Sequence, residues 1–176
     1  MRKATLDLLL QRGYHGFEIP DAARVAGVHP TTIRRRWPSK QDLVADTVLT
    51  YVDGQIPIPD TGSLADDLEA LLREVVAVLA EPRLLALLRA QVAMADDAEG
   101  VRVASQRFWT TRFEGSAVIV ERAIARGELP GDTDPDDFNE LAIAPIYLRV
   151  LVTARPVDEA LIRNSVRRTL RAFEAG

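Results

Sequence analysis

The sequence predicts an all-α protein of about nine helices, and three features carry that prediction. Apolar residues recur at spacings of three and four, no stretch alternates long enough to make a strand, and Gly or Pro interrupts the chain at helix-length intervals. A chain of 176 residues, 47% of them hydrophobic, also has enough apolar surface to bury a core.

The first helix is expected over about residues 2–12, with Leu6, Leu9 and Leu10 inward, stopping at Gly13, which tolerates positive φ. A second, about 19–26, ends at Gly27. Pro30 then stands at a first helical position, where no amide partner is needed, and opens a short helix to about Arg36 that Pro38 forbids from continuing. Ser39 reads as an N-cap, with Asp42 three residues on as a carboxylate that can help satisfy the free amides of a fourth helix, about 40–52. Gly54, Pro57 and Pro59 break the chain next, so residues 1–52 are expected to form one domain and residues 53–176 another.

In the second domain Ser63 caps a helix whose stripe is Leu64, Leu68, Leu71, Leu72, Val75, Val76 and Leu79. Pro82 starts another, running to about Met94, and a long helix over about 97–126 follows, ending at Gly127. Its candidate buried positions include Phe108, Trp109, Phe113, Val118, Ile119 and Ile124. Asp134-Pro135-Asp136-Asp137 reads as a capped, acid-loaded start for a helix over about 135–153, which Pro145 should bend by removing the amide bond to Leu141. The last helix is expected over about 157–173.

Charge divides along the same boundary. The formal net charge is −4, yet residues 1–50 hold eight Lys and Arg against five Asp and Glu, leaving 14 against 21 for the remainder. A small basic module that can face a polyanion is thus joined to an acidic body that would be repelled by one. With no Cys, and His15 and His29 the two histidines, disulfides, thiolate zinc sites and histidine-rich metal sites are excluded. No charge-free run exceeds nine residues (Val25 to Ile33), so the expectation is a cytoplasmic protein with no membrane partner. Asp132, Asp134 and Asp136 suggest calcium, but an EF-hand loop needs Gly where Asp137 stands and Glu where Ile143 stands, so helix capping is the better reading. No phosphate-cradling Gly-rich loop, G-x-S-x-G turn or HExxH is present; neither catalytic residues, metal ligands nor cofactors are assigned, and no enzyme is expected.

Two short helices joined at Gly27, the second carrying Thr and Arg, form the pattern of a helix-turn-helix whose second helix enters the major groove. A helical wheel at about 100° per residue places Trp37 about 40° from Ile33, so both can pack inward, and puts Thr31 and Arg35 on the opposite side. Arg can bond guanine O6 and N7 together and Thr offers a hydroxyl and a methyl, which makes Thr31 and Arg35 the base-edge candidates. Thr32, Arg34, Arg36 and Lys40 are the phosphate candidates, with Arg36 turned partly back toward the body.

Arg12-Gly13-Tyr14, Ala22-Ala23, Ala26-Gly27-Val28 and Thr32-Ile33-Arg34-Arg35-Arg36-Trp37-Pro38-Ser39-Lys40 together resemble the N-terminal DNA-binding domain of TetR-type (TetR/AcrR) transcriptional repressors. The resemblance covers about residues 4–50 and implies a homodimer whose two recognition helices read a palindromic operator on double-stranded DNA, with a small-molecule effector releasing it. Arg34 stands where such proteins commonly have Tyr, Glu18 replaces the usual Thr or Ser cap with Pro20 following, and His29 replaces the common Ser cap, where its ring could cap the helix or touch DNA. Arg2 and Lys3 are the basic residues that stand in for an N-terminal arm, from which weaker non-specific affinity follows.

The acidic body is expected to be the effector-binding and dimerisation domain. Effector candidates are Gln91 and Met94, then Phe108, Trp109, Arg112 and Phe113, then Tyr147; each aromatic can equally be core. The last two helices carry more apolar surface than one stripe requires, which suggests a four-helix dimer interface. The reading that follows is a ligand-responsive transcriptional repressor, its alternative a helical protein-interaction scaffold that has lost operator binding.

Overall fold

In the computed structural model, which describes residues 1–53, 56–82, 84–86, 88, 89 and 99–174, the regular elements are helical and no strand occurs among the described residues. In order they are α1 (Arg2–Arg12), a 3-10 turn (Tyr14–Gly16), α2 (Ile19–Ala26), α3 (Pro30–Arg36), α4 (Lys40–Asp53), α5 (Leu64–Leu79), α6 (Glu99–Arg126), α7 (Pro135–Tyr147), a π-helical segment (Leu148–Thr153) and α8 (Glu159–Phe173). Residues 82, 84–86, 88 and 89 are helical too, as expected from Pro82; the expected end at Met94 lies outside the described residues. The chain forms two compact units, Met1–Gly54 with Glu81–Thr110, and Gln55–Ala80 with Thr111–Gly176.

In the first unit α1 packs on α2 and α4, and α2 on α3. Leu8, Leu9, Phe17, Ile19, Ala22, Ala23, Ile33, Trp37 and Leu43 make one buried cluster, with Tyr14, Val44 and Val48 against its edge. On α1 the buried stripe is Ala4, Thr5, Leu8 and Leu9. Leu6 and Leu10, expected inward, are half-buried, because a helix covered on two sides turns the i, i+1, i+4, i+5 set inward and leaves Leu6 and Leu10 on its flanks. Ser39 and Asp42 cap α4 reciprocally: the Asp42 amide donates to Ser39 Oγ at 3.1 Å and the Ser39 amide to Asp42 Oδ2 at 3.1 Å.

The turn between α2 and α3 is a Schellman closure. The Val28 amide reaches back to the Ala23 carbonyl at 3.0 Å and the Gly27 amide to Arg24 at 3.3 Å, with Gly27 left-handed at φ 67, ψ 32. A Cβ at Gly27 would meet nothing within 4 Å, so the cost of Gly27→Ala is conformational alone. We expect this substitution to lower stability by about 1 kcal/mol, read from urea unfolding of the full chain. A loss near zero would mean that the turn relaxes out of the left-handed region.

In the second unit α7 and α8 form an antiparallel hairpin, with the Phe138 and Phe173 rings 5.2 Å apart, and α8 also packs on α5. The core holds Leu68, Leu72, Ile119, Val120, Phe138, Ile146 and Ile162. It also holds Asp67, fully buried, which accepts from the Thr61 amide at 2.6 Å and hydroxyl at 2.7 Å and faces Arg126 at 3.6 Å. Glu128 links the same region, receiving the Leu64 amide and the Arg126 guanidinium, each at 2.6 Å. Asp134 caps α7 by accepting from the Asp136 amide at 2.8 Å and the Asp137 amide at 3.4 Å, the role its sequence context suggested.

Two helix boundaries differ from expectation. α8 starts at Glu159 and not near Val157, because the Asp158 carboxylate accepts the Leu161 amide at 2.8 Å and so fixes the cap one residue earlier. The expected helix over 135–153 keeps α geometry to Tyr147 and then turns π-helical, ending at Ala154 with φ 50. Pro145 explains the change: it has no amide for the Leu141 carbonyl, and the backbone just beyond takes a wider register.

Candidate nucleic-acid interface

The recognition helix is built from its inward side. Ile33 is fully buried and Trp37 nearly so, while Thr31, Thr32, Arg34, Arg35 and Arg36 are exposed. This is the partition the wheel predicts, since residues four apart share a face. His29 caps the helix: its Nδ1 accepts the Thr31 amide at 3.4 Å and lies 2.9 Å from the Thr31 hydroxyl. With the hydroxyl hydrogen directed at that ring nitrogen, Thr31 keeps its lone pairs and its methyl for an outside partner.

Trp37 is held by a latch that sequence reasoning missed. Its indole Nε1 donates to Asp46 Oδ2 at 2.9 Å, and Arg2 clamps the same carboxylate with Nε at 2.7 Å and Nη2 at 3.0 Å. The Arg2 guanidinium, by its hydrogen bonds, holds the Asp46 carboxyl below the usual carboxylate range against the opposing effect of burial, with Trp37 adding to it. Arg36 lies over the Trp37 ring, 5.0 Å from its centroid, so it is turned back as the wheel implied. Arg2, one of the two basic residues ahead of the core, is therefore committed to α4.

Lys40 is also engaged. Its ammonium sits 4.6 Å from the Tyr14 ring and 4.8 Å from the Phe17 ring and donates to Glu18 Oε1 at 3.2 Å. The Lys40 side chain is 11% exposed and that of Glu18 is 71% exposed, so a largely enclosed cation carries an exposed carboxylate on its open side. Burial, and then the Glu18 charge, raise the Tyr14 phenol above its ordinary value, which keeps it neutral. Glu18 also starts α2, its amide donating to Asp21 Oδ2 at 2.9 Å. Arg34 and Arg35, by contrast, hold no ion pair among the described residues. The sequence signal for the Asp46 latch was a buried Trp in need of an acceptor, but nothing local named Asp46.

Of the effector candidates, Phe108 is buried and Trp109 half-buried in the first unit, their rings edge to face at 5.2 Å. Arg112, Phe113 and Tyr147 belong to the second unit and are half-buried. Burial pushes the Tyr147 phenol up, and the Arg112 charge opposes it. Gln91 and Met94 lie outside the described residues. A hollow of about 190 Å³ beside Leu64, Leu129 and Leu170 contains none of the candidates and is below the usual size of a ligand pocket. Among the described residues no group of three or more His, Cys, Asp or Glu is placed to hold a metal, and no helix is long and apolar enough to cross a membrane.

A short helix with a buried apolar edge, an exposed Thr and Arg face, and a left-handed glycine turn before it is a helix-turn-helix DNA-binding module. Residues 2–47 match the bacterial regulatory proteins of the tetR family, and residues 58–169 match the tetracyclin repressor-like C-terminal domain. The chain is 37% identical over 131 residues to the HTH-type transcriptional regulator AqdR of Rhodococcus erythropolis, a match spanning 74% of this chain and 63% of that protein. It is 29% identical over 166 residues to the DNA-binding transcriptional repressor TetR of Mycobacteroides abscessus, spanning 92% of this chain and 85% of that one. Its fold is similar to that of the TetR family transcription regulator SCO0332, with TM-score 0.85 and 27% identity, covering 97% of this chain and 94% of the other. The chain belongs to the tetR family of bacterial regulatory proteins: it is a DNA-binding transcription regulator and not an enzyme.

Proposed function

We propose that the chain is a homodimeric repressor that binds a palindromic operator through residues 1–52 and releases it when residues 53–176 bind a small molecule. The observation that carries this reading is the division of α3, with Ile33 and Trp37 anchored inside and Thr31, Thr32, Arg34 and Arg35 outside. Thr31 and Arg35 read base edges; Thr32, Arg34, Arg36 and Lys40 face phosphates; His29 orients the start of the helix. The repressor named among the relatives supports the sign of regulation. For the effector, Arg112, Phe113 and Tyr147 of the second unit are the contacts, and a charge with a phenol suits an anionic or polar aromatic molecule. Release is a population shift toward a dimer whose recognition helices no longer match half-sites one helical turn apart.

Selection of bound sequences from random duplex DNA, at low and near-physiological salt, tests this reading. The expected result is a palindrome with two half-sites. Recovery of salt-sensitive background alone would overturn it in favour of a helical interaction scaffold.

A further inference from the structure

One hydroxyl on the recognition helix has its polarity fixed by the protein itself. The Thr31 amide lies in the first turn of α3, where no earlier carbonyl of the helix can take it, and it donates to His29 Nδ1 at 3.4 Å. An amide can only donate, so Nδ1 presents its lone pair and the ring hydrogen sits on Nε2. Thr31 Oγ1 lies 2.9 Å from that same nitrogen. Its hydrogen is therefore turned to the ring, because two lone pairs facing each other at that distance repel. The Thr31 hydroxyl offers the outside an acceptor and no donor.

Thr32 differs, although both side chains are exposed. Its amide goes to the His29 carbonyl at 3.0 Å, and its hydroxyl has no hydrogen bond among the described residues, so that hydroxyl can turn to donate or accept. The contrast sorts the two residues between the two kinds of DNA group. Phosphate oxygens only accept, so Thr32 has a hydrogen to give them and Thr31 does not. In the major groove adenine N6 and cytosine N4 donate, whereas guanine O6 and thymine O4 accept.

We propose that His29 sets the base preference of Thr31: with the hydroxyl held as an acceptor, one position of each half-site takes adenine or cytosine and rejects guanine and thymine. A guanine or thymine oxygen against Thr31 Oγ1 would leave two acceptors face to face. Turning the hydrogen round to meet that oxygen would break the 2.9 Å contact with Nδ1. A hydroxyl free to rotate meets either kind of base and discriminates little. His29 is thus a positioning residue that acts through Thr31. This preference rests on the operator-binding reading and names the class of base that Thr31 reads.

Selection from random duplex DNA, run in parallel on the full chain as wild type, Thr31→Val, His29→Ala and His29→Asn, tests it. Both positions are exposed, so circular dichroism should show native helix content in every variant. Thr31→Val keeps the shape, loses the hydroxyl and so marks the position it reads. There wild type is expected to favour adenine or cytosine over guanine and thymine by about tenfold, and Thr31→Val to lose that preference. His29→Ala is expected to lose it at the same position while the rest of the palindrome stands. His29→Asn, whose Oδ1 can accept from the amide and the hydroxyl alike, is expected to keep it. A histidine that merely caps the helix would weaken all sequences together and shift no single position. Guanine or thymine at the marked position in wild type, a wild-type preference in His29→Ala, or a Thr31→Val selection unchanged at every position overturns the proposal and leaves the operator reading standing. Loss of the preference in His29→Asn as well as in His29→Ala overturns the acceptor role and moves the specificity to the imidazole ring itself. Absence of any palindrome with wild type overturns the operator reading, and this proposal with it.

Discussion

Asp46→Ala should lower the stability of the full chain by about 2–3 kcal/mol and reduce DNA binding by more than the stability loss alone explains. The arithmetic starts at Trp37. Its indole is 8% exposed, and removing the acceptor at 2.9 Å leaves a buried N–H without a partner, a loss of about 1–3 kcal/mol. The Arg2 contacts add less, because side chains 39% and 32% exposed are screened by solvent, and a pair of that kind contributes about 1 kcal/mol or below. Trp37 closes the recognition helix, so the orphaned indole also loosens the scaffold beneath Arg34, Arg35 and Arg36. Unfolding followed in a Trp109→Phe background, with Trp37 as the remaining indole, would report it. Asp46→Asn is the control, since it keeps an oxygen for Trp37 while losing the charge and the second acceptor oxygen that Arg2 uses. The pH dependence has a definite sign. The folded Asp46 carboxyl titrates below its unfolded value of about 4, so its contribution is complete above about pH 5 and is lost as pH falls through the depressed folded value. The gap between wild type and Asp46→Asn should therefore be constant from pH 5 to 7 and close on acidification below about 4. A gap that persists there would mean that Asp46 acts through its shape and not through its charge.

The recognition helix was legible in the sequence because everything that shapes it is local. Gly27, Pro30, Ile33, Trp37 and Pro38 fix its ends and its inward edge within about three turns of helix, and periodicity reads that scale well. The same holds for the caps at Ser39, Ser63 and Asp134. Asp46 and Glu18 were not legible because their partners are distant in sequence: Asp46 meets Arg2 across 44 residues and Lys40 meets Glu18 across 22. Tertiary packing also decides which half of α1 turns inward, choosing Leu8 over Leu6 and Leu10. In the body, counting apolar residues gave the buried stripe of α5 except for Val76, which is half-buried, and missed the fully buried Asp67 within it, whose acceptor role depends on Thr61 in the preceding loop. For the last two helices the count could not tell apolar side chains spent inside the chain, as on α8, from those left outside, as on α7.

Arg35→Ala, Lys40→Ala and Glu18→Gln should act on DNA binding in three different ways, and the differences follow from the surroundings of each side chain. Arg35 is exposed with no ion pair among the described residues, so its whole donor fork is available to a base. Its loss is expected to cost about 1–3 kcal/mol, relax preference at one position of each half-site and leave the salt dependence nearly unchanged. Lys40 differs because its charge is already balanced. A phosphate approaching the ammonium must share it with Glu18 or displace that carboxylate, and until it does so few counterions are released there. Lys40→Ala in the wild-type chain should then flatten the slope of log affinity against log salt by clearly less than the one unit expected for a free lysine. Glu18→Gln removes the competitor and should tighten all duplex DNA alike, by several-fold, without altering sequence preference. In that background Lys40→Ala should recover the full change of about one unit. The four-way comparison isolates the charge coupling between Glu18 and Lys40, since Glu18→Gln removes the negative charge at nearly constant shape and Lys40→Ala removes the ammonium. Additive effects would mean that the carboxylate, 71% exposed, swings clear before DNA arrives and exerts no restraint on the ammonium it contacts in the free protein.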